Sequence, residues 1–175
     1  GYEPPNRRVV AVEPSDMMIA QRRAGAAPVV KAVAEALPFK DGGYSAAMAV
    51  LTIHHWDDPL AGLREMRRVA RRRAVVLTLD PDAIGDFWLY DYFPRIAERD
   101  AKRFPSIDTV AQTLGGDVRV EVVPIPHDCR DGFLAAYWRR PSSYLARHVR
   151  RNISTLAAVD DDELLDGLAR LSDDL

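Results

Sequence analysis

Four apolar, largely β-branched runs constrain this chain more than any other feature. They are 8–13, 29–33, 44–53 and 74–79. Their apolar residues are continuous rather than alternating, the pattern of strands buried on both faces of a parallel sheet. The segments between them carry helix signals. Ser15 or Asp16 can cap a helix over 16–24 that Gly25 ends. Leu37-Pro38-Phe39 and Asp41-Gly42-Gly43 form a loop and turn. Leu60, Leu63, Met66, Val69 and Ala70 keep a helical period over 58–71. Strand, helix, strand, loop, strand, helix, strand predicts an α/β domain with a doubly wound, mostly parallel sheet. Ligands of such sheets sit beyond the C-terminal strand ends. Those ends carry Glu13, Ala34-Glu35, His54-His55 and Asp80.

The second half reads differently. Residues 83–104 hold Phe87, Trp88, Tyr90, Tyr92, Phe93 and Phe104 and predict helix interrupted at Pro94. A short helix is expected over 106–114, ended by Gly115-Gly116. Val118 to Val123 alternates and predicts a fifth strand. Helices are expected over 132–151 and 161–170, the latter with Asp160 to Asp162 at its N-terminus.

Composition narrows the class of function. At 175 residues the chain can bury a core without a staple. Lys plus Arg is 24, Asp plus Glu is 26, and the net charge is −2. Near-neutrality argues against general affinity for nucleic acid or anionic membrane. The one cysteine, Cys129, excludes an intrachain disulfide framework and a thiolate zinc site. No apolar run reaches the roughly 20 residues of a membrane span, and the start lacks a signal-peptide pattern. A cytoplasmic location is the expectation.

Several residues could carry chemistry. Glu13 closes a strand before a helix, where a carboxylate can accept both hydroxyls of a ribose, or simply be an exposed strand end. Residues 34–39 can offer backbone N–H groups to a heterocycle edge, while Leu37 and Phe39 can equally plug the core. Adjacent His54 and His55 on an extended segment would point to opposite faces, which disfavours a shared metal ion; no metal site is expected. One of them could serve as a general base. The helix 64–73 carries Arg64, Arg67, Arg68, Arg71, Arg72 and Arg73, a solvated face or a phosphate contact. The aromatics 88–93 either wall a pocket or pack on the sheet.

In this order and spacing, Val-Val-Ala-Val-Glu-Pro-Ser (9–15), Ala-Glu-Ala-Leu-Pro-Phe (34–39), Leu-Thr-Ile-His-His-Trp (51–56), Leu-Arg-Glu-Met-Arg-Arg-Val (63–69) and Val-Val-Leu-Thr-Leu-Asp (75–80) resemble class I S-adenosylmethionine-dependent methyltransferases. The branch they resemble contains the small-molecule, ubiquinone/menaquinone-biosynthesis-like enzymes. The resemblance implies a Rossmann-like sheet of order 3-2-1-4-5-7-6 and S-adenosylmethionine as cofactor. It implies that Gly1 ends the glycine-rich loop, Glu13 binds the ribose, Met18 packs near the adenine, Ala34 and Glu35 flank its edge, and Leu51 lies by the methionine part. His55 would be the general-base candidate, with Tyr90 and Asp91 behind it. Trp56, Trp88 and Tyr92 would cap a small-molecule substrate.

Three departures accompany the resemblance. The glycine-rich loop and first strand are not in the sequence, Val33 stands where relatives carry an acid, and no strand-like run follows residue 150. Strand 1 would lie between 8–13 and 44–53, so the expectation is that these residues are part of a longer chain. The reading is one methyltransferase-like domain over 1–175, with a substrate-cap insertion over 81–114 and a C-terminal helical segment over 130–175. Its function would be methyl transfer to a small molecule. A non-catalytic scaffold without cofactor is the alternative and an RNA methyltransferase the third. A homodimer is left open.

Overall fold

A computed structural model of the chain describes residues 3–175, so Gly1 lies outside the described residues. It divides into two compact units. Unit 1 runs to Leu79 and includes Phe104–Val118; unit 2 is Asp80–Arg103 with Arg119–Leu175.

Unit 1 contains β1 (Ala11–Val12), α1 (Asp16–Ala20), β2 (Val29–Val30), β3 (Tyr44–Val50), α2 (Pro59–Val69) and β4 (Ala70–Leu77). β1 pairs with β2 and β3 with β4, both in parallel, as two separate two-stranded sheets. The expected strands and parallel sense are present. Their extent is shorter, and no ladder joins β1 to β3 among the described residues. Among the described residues one long pair forms, β3 with β4, with Ala47↔Ala74 through Val50↔Leu77 in register.

Asp58 caps α2 by accepting from the Ala61 N–H at 2.9 Å, and Pro59 opens its first turn. The α2 stripe then buries Leu63, Met66 and Val69. Leu63 and Met66 join Ala49, Ile53 and Val110 in one core, flanked by Trp56, Leu60 and Val76. The helix stops at Val69, because Ala70 turns extended and pairs with Tyr44. Arg71, Arg72 and Arg73 therefore belong to β4, where the sequence placed them on a helix. The register advances two residues on β3 and three on β4 between Tyr44↔Ala70 and Ala46↔Arg73, a bulge in the arginine run. Helices cover one face of this sheet. Met48 and Val75, register partners, are about half exposed on the other. Apolar residues on both faces predicted two covered faces; the described residues cover one.

Unit 2 departs further. It begins with 3-10 turns at Pro81–Asp86 and Trp88–Asp91, followed by α3 (Pro94–Arg103). α4 (Ile107–Leu114), the short helix expected over 106–114, is capped by Ser106 and belongs to unit 1, not with residues 81–103. The long helix expected over 132–151 is broken into 3-10 turns at Leu134–Tyr137 and Pro141–Leu145 and the short α5 (Arg147–Arg150). Pro141 has no N–H to continue a helix. α6 (Ser154–Ala157) and α7 (Asp161–Asp173) complete the unit. The expected fifth strand over 118–123 does not form; the segment enters no ladder. No helix among the described residues is long and apolar enough to cross a membrane.

Candidate functional site

The strand ends of unit 1 hold most of the expected cofactor residues. Glu13 N–H donates to the Val30 carbonyl at 3.1 Å, extending the β1–β2 pairing by one residue. Its side chain then leaves the ladder half-buried. Oε1 accepts from the Ser15 N–H at 2.9 Å, which orients the carboxylate. Oε2 accepts nothing among the described residues. Ser15 in turn caps α1, its Oγ accepting from Met18 N–H at 3.3 Å. Met17 and Met18 stand 67% and 50% exposed, two large thioethers presented to solvent beside the carboxylate. One oriented, half-open acid next to exposed apolar surface suits a ligand with both hydroxyls and an aromatic ring.

The segment after β2 is a 3-10 turn, Ala34–Ala36. Its exit is fastened to α2. Leu37 N–H donates to Glu65 Oε2 at 2.8 Å, and Arg68 Nη2 donates to the Leu37 carbonyl at 2.9 Å. Glu65 and Arg68 also pair directly at 2.6 Å. The Arg68 hydrogen bond, reinforced by the Leu37 N–H, holds the Glu65 carboxyl below its ordinary range, against the opposing effect of burial. Glu35 Oε1 accepts from the Asp58 N–H at 3.1 Å, so it ties this turn to the α2 N-terminus. Side chains of α2 thus satisfy the backbone groups at the exit of this loop.

Leu51 follows β3 with φ +48°, a left-handed conformation that is strained for a residue with a Cβ. Its N–H still donates to the Leu77 carbonyl at 2.8 Å. Strain of this kind is held only where the surroundings over-determine it, and it collects at functional sites. Nothing in Val50-Leu51-Thr52 signals it, since Gly or Asn would be the usual marker. The next residues form a 3-10 turn, Ile53–His55, with Ile53 fully buried. This corrects the expected extended geometry: the His54 and His55 rings lie 4.0 Å apart instead of on opposite faces. His54 also packs on Phe104 at 4.3 Å, while His55 is exposed. Trp56, expected over a substrate, packs on α2. A Cβ on Gly62 would lie 2.3 Å from its ring.

The remaining expected residues lie in unit 2. Tyr90 is 6% exposed, and its hydroxyl donates to Asp100 Oδ2 at 3.1 Å. Burial, then the Asp100 charge, push its ionisation well above the ordinary range. It is a buried acid that keeps its proton. Asp91 is exposed, and its carbonyl accepts from Arg170 Nη1 at 3.2 Å. Tyr92 donates to Asp174 at 2.7 Å, with the Arg170 guanidinium 5.7 Å over its ring. Trp88 Nε1 donates to the Trp138 carbonyl at 3.1 Å. Its ring meets Phe87, Tyr92 and Tyr144 edge-on, at 5.6, 6.1 and 5.8 Å. A concavity of about 290 Å³ in this unit is walled by Tyr92, Arg95, Asp162, Glu163, Asp166 and Arg170. Its charges are largely spoken for, Arg170 by Asp166 at 3.1 Å and Arg95 by Asp160 at 3.4 Å.

Two comparisons with known proteins bear on this arrangement. The sequence matches the family described as "Methyltransferase domain" over residues 2–78. The structure superposes on a crystal structure from Anabaena variabilis ATCC 29413, described as "Putative methyltransferase from antibiotic biosynthesis pathway", with a TM-score of 0.81 and 36% identity. That match covers 95% of this chain and 70% of the other. The chain belongs to the methyltransferase family. Its two parallel strand pairs fit the Rossmann-like methyltransferase fold, and methyl transfer is the activity of the family. No curated protein matches it. As a methyltransferase, it presents at the end of β1 the side chain the family resemblance singled out, Glu13. Among the described residues no group of His, Cys, Asp and Glu is placed to hold a metal ion.

Proposed function

We propose that this methyltransferase uses S-adenosylmethionine and acts on a small organic acceptor. The observation that carries the reading is Glu13: one carboxylate oxygen is fixed by the Ser15 N–H and the other is open, at the C-terminal end of a parallel strand. The residues fit the cofactor's polarity. Glu13 accepts the ribose hydroxyls. Met18 lends an apolar surface to the adenine, and the backbone of 34–36 meets its edge. Leu51, in its strained conformation, turns the backbone beside the methionine part.

When bound, S-adenosylmethionine supplies a sulfonium methyl group open to nucleophilic displacement. The chain's share of catalysis is positioning and exclusion of water rather than covalent chemistry. His55 takes the proton when the acceptor's nucleophile must lose one. Tyr90 cannot share that task, because its hydroxyl is buried and already donates to Asp100. The description of the Anabaena protein makes small molecules of antibiotic pathways the first class to try.

Calorimetric titration with S-adenosylmethionine and S-adenosylhomocysteine tests the reading. Binding of both at micromolar Kd is expected, weakened at least tenfold in Glu13→Gln without loss of thermal stability. Absence of binding by the folded protein would move the reading to a scaffold without cofactor. An RNA acceptor would instead show steeply salt-dependent RNA binding. Arg68, the most strongly held arginine of the basic run, is committed to Glu65, Asp41 and two carbonyls.

A further inference from the structure

Over residues 33–39 Glu35 is the one polar side chain. Its Oε1 is turned to the Asp58 N–H. Recognition of a heterocycle edge at this loop therefore falls to the backbone. A backbone group discriminates between ligands only where something holds it in place.

Two residues of α2 hold it. Arg68 turns all five guanidinium N–H groups to this loop and to Glu65. Nε and Nη2 form a fork on the two Glu65 carboxylate oxygens, at 2.6 and 2.7 Å. Nη2 also donates to the Leu37 carbonyl at 2.9 Å. Nη1 donates to the Phe39 carbonyl at 2.6 Å and to Asp41 at 2.8 Å. Glu65 Oε2 accepts from the Leu37 N–H at 2.8 Å. The Arg68 carbonyl accepts from the Gly42 N–H at 2.8 Å, just before β3. The N–H and carbonyl of Leu37 thus meet the two halves of one ion pair, directly after the Ala34–Ala36 turn. Forked, charge-assisted hydrogen bonds fix geometry as well as adding energy.

We infer that Glu65 and Arg68 are positioning residues for base recognition: acting through the backbone of Leu37 and Phe39, they set the turn so that it accepts adenine and rejects a purine with the opposite edge. The inference rests on the S-adenosylmethionine reading. Adenine presents an acceptor at N1 and a donor at N6. Hypoxanthine presents a donor at N1 and an acceptor at O6. A fixed backbone N–H aimed at N1 pairs with the first and is left unpaired against the second. A loosened turn adapts to either.

Calorimetric titration of the protein with S-adenosylhomocysteine and with S-inosylhomocysteine tests this. The wild-type protein is expected to prefer the adenine ligand by about tenfold or more. Arg68→Lys keeps the charge and loses the planar fork, and Glu65→Gln loses the ion pair. In each, the adenine ligand should bind about tenfold more weakly and the preference for it should vanish. Amide exchange at Leu37 should rise in both, with the β3–β4 amides unchanged. The pair is part-exposed, so melting temperature should fall by no more than about 4 °C. Arg64→Ala, at an exposed arginine of the same helix, should alter none of these. A wild-type protein that binds neither ligand overturns the cofactor reading and this inference with it. Wild-type binding without preference overturns the inference alone, as does a preference that survives both substitutions. Equal weakening of both ligands, or global unfolding of both variants, marks the pair as structural and also overturns it.

Discussion

The two units satisfy their backbones in different ways. Unit 1 uses the β3–β4 ladder and helices capped by Ser15, Asp58 and Ser106, with Arg68 closing the carbonyls of Leu37 and Phe39 in the loop before β3. Unit 2 contains no strand among the described residues and relies on short turns. Its irregular carbonyls are met by guanidinium groups. Arg140 serves Cys129 and Ala136 at 2.7 and 2.9 Å, Arg99 serves Thr155 and Ala158 at 2.6 and 2.9 Å, and Arg150 serves Tyr144 at 2.8 Å. Tyr144, fully buried, donates its hydroxyl to the Leu134 carbonyl at 2.5 Å. Buried carbonyls must be paired by something. Where the sequence supplies no ladder, long donors replace it. Unit 2 is therefore more vulnerable to single side-chain changes.

The largest effect is expected at Phe93, 1% exposed and packed on α7 so closely that a Cβ on Gly167 would lie 2.4 Å from its ring. Phe93→Ala should cost about 3–5 kcal/mol in urea unfolding. The matching contact in unit 1 is Gly62 against Trp56. Gly62→Ala should cost about 2–3 kcal/mol through overpacking, and adding Trp56→Ala should recover part of that in a double-mutant cycle.

Arg140→Ala strands two carbonyls of unit 2 and should cost about 1–3 kcal/mol, whereas Lys31→Ala, which removes an exposed pair with Asp16 in unit 1, should cost under about 1 kcal/mol. Equal losses would erase the contrast between the units.

The smallest effects concern pH, and their signs are opposite. Glu65 has a lowered pKa, so its contribution is present at neutral pH and is lost as pH falls through its folded value, below the ordinary 4.5. Glu65→Gln should remove that acid-side loss. Asp100 is buried, with Oδ1 taking no hydrogen bond among the described residues. Burial raises its pKa above the ordinary 3.8, although the Tyr90 hydroxyl, Arg99 and Arg103 pull the other way. Its protonated form is the better tolerated, so its contribution fades as pH rises through the raised value. Asp100→Asn should leave the protein slightly more stable at pH 7 and flatten the pH profile of unit 2.

The sequence made unit 1 readable because its signals are local. The Asp-Asp-Pro start of α2, the period of Leu63, Met66 and Val69, and the Ser15 cap each act within a few residues. The arginine run misled because helix propensity favoured its continuation, while pairing with β3 pulled it into a strand. Tertiary context also decided 118–123: the alternation is that of a strand, but a strand forms only against a partner. The breakup of 132–151 follows from Pro141 and from turns held by Arg140 and Tyr144, contacts between residues too far apart for periodicity to register. At the site, Glu13 and the 34–39 segment stood out as candidates from their positions at strand ends, whereas Met18 became one only through the family resemblance. The strain at Leu51 was not, because no residue type announces it. The stacking of His54 on His55 was missed because the strand was read three residues too far.

Hydrogen–deuterium exchange with and without saturating S-adenosylhomocysteine addresses the central claim, that the strand ends of unit 1 hold the cofactor. Added protection is predicted at amides of residues 13–18, 34–37 and 51–55, with 161–173 in α7 unchanged. Protection confined to unit 2, or none at a concentration that saturates binding, would contradict it.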